Sequence, residues 1–182
     1  MEDMKKKEMK VNIIMAVIIS AIMGLLFVFV ARGMAGRQNP HALESMPPLP
    51  VMLITSLLES IVVGLIVAII IPIGKLGRGL ATKLNAKPGS LKFTLLNSIP
   101  FALINAIIVS AVCSFISIAQ SHAHAAPQAN MPPLMVHWLG QWLATLPISI
   151  IVSYIFAVII SPFVVKAVGL GGPPADMNRP RD

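Results

Sequence analysis

The chain has 182 residues, of which 56% are hydrophobic and only 12% charged, and its mean hydropathy is strongly positive. A soluble domain of this length could not hide so much apolar surface, so composition excludes the ordinary globular classes. The 14 Lys and Arg against 7 Asp and Glu match a nucleic-acid binder's balance, but they lie between apolar runs rather than along one folded face, so nucleic acid is not expected as a partner. The single cysteine, Cys113, lies inside an apolar run, which leaves neither a disulfide framework nor a four-thiolate zinc site.

A membrane-spanning helix needs about 20 mostly apolar residues, because the hydrocarbon core is about 30 Å thick and each residue rises about 1.5 Å. Residues 1–10 form a basic tail with Lys5, Lys6, Lys7 and Lys10, and the first apolar run follows from Val11 to Ala31. That run exceeds the roughly 7 to 15 residues of a signal-peptide core and no small-x-small cleavage site follows, so it reads as an uncleaved helix. A loop with Arg32 and Arg37 leads to the second run, Val51 to Ile73, which is interrupted only by Thr55, Ser56, Glu59, Ser60 and Gly64. Residues 74–94 are a basic loop carrying Lys75, Arg78, Lys83, Lys87 and Lys92. The third run extends from about Leu95 to Ala119, the loop from Gln120 to His137 has no Lys or Arg, and the fourth run extends from about Trp138 to Pro162. Residues 167–182 read as a disordered tail. Without water to satisfy the backbone in lipid, such runs must be helical. The expectation is an all-α integral membrane protein with four transmembrane helices.

All but two of the Lys and Arg residues fall in the N-terminal tail, the middle loop and the C-terminal tail. The positive-inside rule then places both termini and the 74–94 loop in the cytoplasm, most simply at a bacterial inner membrane. Trp138 and Trp142 are placed as interface anchors at the outer end of the fourth helix. Met46-Pro47-Pro48-Leu49 precedes the second helix and Met131-Pro132-Pro133-Leu134 the fourth, an offset of 85 residues. Pro72 and Pro162 close these same helices, each followed within four residues by Lys. Order, topology and spacing agree with two tandem helical hairpins, 11–73 and 95–166, in one orientation. Pro-Pro is also ordinary loop punctuation.

In lipid, helices associate by close backbone approach across small residues. Each run carries a stripe of them at four-residue spacing: Ala16, Ser20 and Gly24; Ser56, Ser60, Gly64 and Ala68; Ala102, Ala106, Ser110 and Ser114; Thr145, Ser149, Ser153, Ala157 and Ser161. These read as packing faces within the bundle or toward a homo-oligomer or another membrane protein. Pro100 and Pro147 lie within the third and fourth runs, where each removes a backbone bond and can kink its helix.

Glu59 is the one acidic or basic residue inside a predicted span, and an intramembrane charge by default marks function. Thr55 and Ser56 are its expected partners, with Ser98 and Asn105 on one face of the third helix completing a candidate polar site. Asn12, Asn97, Gln141 and Tyr154 could extend that polar interior. A structural acid near the interface competes with a proton or cation site. His41, His122, His124 and His137 with Met34, Met46, Met131 and Met135 could hold a soft metal such as Cu(I), but His122-Ala-His124 is expected in an Ala-rich loop without a partner at ligand spacing, so no metal or other cofactor is assigned. No phosphate loop, zinc-protease helix or nucleophile elbow is present, so no catalytic residue is assigned and no enzyme is expected.

Trp138-Leu139, Trp142, Pro147, Pro162 and Lys166 resemble the pattern of the bacterial family catalogued as domain of unknown function 2798. Its members are short two-helix hairpins with Trp before the second helix and Pro within and after it. The resemblance covers the second hairpin; the Val51 region lacks the Trp pair and the inner Pro. It implies tandem hairpins and brings no activity, substrate or catalytic residue. The expected function is therefore a non-enzymatic structural or accessory membrane component, with a small transporter or channel subunit built on Glu59 as the alternative.

Overall fold

The computed structural model of the chain describes residues 2–38, 46–87, 89–124 and 132–169. All regular elements among them are helical: α1 (Glu2–Gln38), α2 (Leu49–Ile70), α3 (Ile73–Lys83), α4 (Leu91–Ile104), a π-helical turn (Asn105–Val109), α5 (Ser110–His124) and α6 (Leu134–Ala167). α4, the π turn and α5 follow one another without a break, so four helices are long and apolar enough to cross a membrane. The proposed tail, apart from its first residues, lies outside the described residues.

Proline sets several boundaries. α2 begins behind Pro48, with Pro50 in its first turn, where a missing N–H costs nothing. It ends where Pro72 forces the preceding residue out of the helical region, and Ile71 is extended at φ −106° and ψ 118°. Pro147 and Pro162 nevertheless sit within an uninterrupted α6, and Pro100 within α4, five residues before the π turn. Ser90 caps α4, its Oγ accepting from the Phe93 N–H at 3.1 Å.

The basic 74–94 segment is not all loop, since α3 occupies its first half. A stripe of Ile73, Gly77 and Ala81 is buried while Lys75 and Lys83 stay outside, so one face packs and the other is basic. A Cβ on Gly77 would lie 2.6 Å from Asn97 Oδ1, which explains why the residue facing α4 is glycine. Asn12 fastens the α2–α3 break: its Nδ2 donates to the Ala68 carbonyl at 2.7 Å and the Ile71 carbonyl at 3.3 Å, and its Oδ1 accepts from the Gly74 N–H at 3.3 Å.

Small-residue stripes face inward beside a core of larger apolar side chains, and rows of large apolar residues face outward, an arrangement suited to lipid. Every member of the four stripes is buried except Ser56, which is half-buried. Gly24 and Gly64 let α1 and α2 touch: a Cβ on Gly24 would meet the Ser56 carbonyl oxygen at 2.7 Å, and one on Gly64 the Ser20 Cβ at 2.6 Å. Leu58, Val62, Ile66 and Ile69 on α2 and Ile148, Ile151, Ile155 and Ile159 on α6 point outward. α1 packs against α2, α6 and the third span, and the third span packs against α1, α2 and α6, so these two form the centre with α2 and α6 on its flanks. Between them lies a core of Met15, Ile19, Met23, Phe101, Val109 and Cys113.

Candidate functional site

At the centre, Ser20 Oγ donates to Asn105 Oδ1 at 3.2 Å, joining α1 to the π turn, while Asn105 Nδ2 donates to the Phe101 carbonyl at 2.9 Å. Both residues are fully buried. The other stripe hydroxyls turn largely onto backbone: Ser56 onto the Gly24 carbonyl at 2.9 Å, Ser60 onto Leu57 at 3.0 Å, Thr145 onto Gln141 at 3.0 Å and Ser149 onto Thr145 at 2.9 Å. Hydroxyls satisfied in this way can be buried in lipid without an unpaired donor. Ser98 Oγ, Ser153 Oγ and Asn97 Oδ1 are buried and have no partner among the described residues.

Trp138 and Trp142 stack with ring centroids 5.9 Å apart, and their indoles turn onto the third span. Trp138 Nε1 donates to the Ala111 carbonyl at 3.0 Å and Ser114 Oγ at 3.1 Å; Trp142 Nε1 donates to Ser110 Oγ at 2.9 Å. These N–H groups thus tie α6 to α5. Tyr154 makes a longer link at the opposite end of the pair, its hydroxyl donating to the Leu95 carbonyl at 3.4 Å.

The polar set expected around Glu59 is not brought together. Thr55 Oγ1 bonds back to the Val51 carbonyl at 2.9 Å and is exposed, and Ser56 faces Gly24. Ser98 and Asn105 lie in the interior, whereas Glu59 is half-buried at the rim, its Oε1 accepting from Gln120 Nε2 at 3.1 Å. Gln120 lies 61 positions away, too far for local spacing to signal.

The His122 segment also departs from expectation, since it is helical within α5 rather than loop. His122 Nε2 and His137 Nδ1 are 3.2 Å apart, an imidazole pair between the end of α5 and the start of α6. Among the described residues no group of three or more His, Cys, Asp or Glu could hold a metal. His41 and Met131 lie outside the described residues.

At the other end of the bundle, Arg78 Nη1 donates to Glu8 Oε1 at 2.6 Å and Arg78 Nε to the Gly74 carbonyl at 3.4 Å. Beside them is a cleft of about 230 Å³, walled by these residues together with Asn12, Lys75, Met9 and Ile69.

All-helical in its regular elements among the described residues, and with four helices long and apolar enough to cross a membrane, the chain has the build of a multi-pass membrane protein. No family model, curated protein or solved structure matches it.

Proposed function

We propose that this chain is a non-enzymatic, multi-pass protein of a bacterial inner membrane, a structural or accessory component made of two tandem helical hairpins with both termini in the cytoplasm. The observation carrying this reading is the use of the interior polar groups: Ser20, Asn105, Ser110, Trp138 and Trp142 all bond one helix to another. A polar interior spent on helix association is what a packing subunit needs and what a conduction path lacks.

The tandem reading draws support from distance along the chain. Ser20 and Asn105 are 85 positions apart, the offset of the two Met-Pro-Pro-Leu motifs. Asn12 and Asn97 share the same offset, and both lie against α3. Equivalent residues that touch lie on the axis relating two halves, and a direct repeat places that axis along the membrane normal. The likeness of the second half to the domain of unknown function 2798 family agrees with such hairpins.

Purified protein in liposomes tests the function: proton and monovalent-cation flux should equal that of empty vesicles. Flux that disappears in Glu59→Gln would replace this reading with the transporter alternative. Cysteines at position 87 and position 121, labelled in intact cells, should react from the cytoplasmic and outer sides respectively.

A further inference from the structure

The cleft between the start of α1 and the α2–α3 break is unused by the packing just described. Its wall is mixed in character. Its lining combines the cations Lys75 and Arg78, the Arg78-paired carboxylate of Glu8, and Ile69, which is 68% exposed at the end of an outward-facing apolar row. Cations beside lipid-facing hydrocarbon match an amphiphile whose charge is anionic, whereas a soluble anion has no use for the hydrocarbon.

The guanidinium is held ready. Glu8 engages Arg78 Nη1 and the Gly74 carbonyl engages Nε, and among the described residues Nη2 has no partner. A fixed planar donor with one edge open is suited to a phosphate oxygen. Asn12, fully committed to the α2–α3 junction, holds the floor in place. The volume, about 230 Å³, corresponds to roughly seven water volumes, room for a phosphodiester and part of its glycerol. Lys10, Lys83 and Lys87 are exposed in the N-terminal and 74–94 segments that also line the cleft, and raise the local concentration of anionic headgroups.

We propose that this cleft is a binding site for the headgroup of an anionic phospholipid, with Lys75 and the open edge of Arg78 on the phosphate and Ile69 against the upper acyl chain. The site rests on the membrane reading above; alkaline carbonate extraction tests that reading separately, since release into the aqueous phase would end both.

The direct test is native mass spectrometry of the full chain, released from nanodiscs containing equal phosphatidylglycerol and phosphatidylcholine. The wild type should retain phosphatidylglycerol in preference. Lys75→Gln, at an exposed position that folding does not need, should weaken retention about fivefold, the effect of one interfacial Lys. Arg78→Lys keeps the charge but loses the fork and should also weaken it, whereas Lys87→Gln, which acts through diffuse attraction alone, should weaken it less than Lys75→Gln does. Equal retention of the two lipids, equal losses in Lys75→Gln and Lys87→Gln, or displacement of the lipid by millimolar inorganic phosphate would each overturn the proposal.

Discussion

Gly64 and Gly140 are both helical, yet only Gly64 meets a neighbour: nothing lies within 4 Å of a Cβ on Gly140, whereas one on Gly64 runs into Ser20. Gly64→Leu should therefore destabilise the protein by about 1 to 3 kcal/mol, the usual range for overpacking, and Gly140→Leu should leave the melting temperature in detergent unchanged. Asn105→Ala removes the acceptor of Ser20 Oγ. Interhelical hydrogen bonds in membranes average about 0.6 and reach about 1.7 kcal/mol, so a loss within that range is expected in denaturant titration of the reconstituted protein. Glu59→Gln retains an oxygen that can accept from Gln120 and should change stability by less than about 0.5 kcal/mol. The inward stripes were readable from sequence because four-residue spacing keeps side chains on one face. Glu59's partner was not, since a contact across 61 positions leaves no local trace.

Among the elements, the four apolar runs announce themselves by length alone, and their helices extend past the predicted bounds at several ends. α3 is harder to read: three glycines and several cations in Ile73–Lys83 look like a linker. Its helical character comes from tertiary contact, with Ile73, Gly77 and Ala81 packed inward. The π turn likewise has no sequence marker of its own beyond Pro100 upstream, which withholds one N–H from the helical ladder. The junction of α2 and α3 depends on Asn12. Asn12→Ala should cost about 1 kcal/mol there and speed hydrogen exchange at the Gly74 amide roughly fivefold, with little change at the centre of α6.

For the whole molecule, the central pair of α1 and the third span decides how the two flanking helices are placed. If the halves are related through Ser20 and Asn105, exchanging the two residues should be better tolerated than either change alone. Ser20→Asn or Asn105→Ser alone sets like against like at the crossing; the double exchange restores a hydroxyl facing an amide. Thermal melts of the two single variants and the double variant test this as a thermodynamic cycle, and a double variant as weak as the sum of the singles would rule it out.

The Ser20–Asn105 bond also bears on why one continuous polypeptide is useful here. Two separate copies of a single hairpin, meeting about a two-fold axis, must present the same residue to each other at the crossing. If this chain joins two such hairpins, as proposed above, that constraint is lifted. On that tandem-hairpin reading, each side can then mutate independently, so that the hydroxyl and the amide at the contact sit at separately encoded positions.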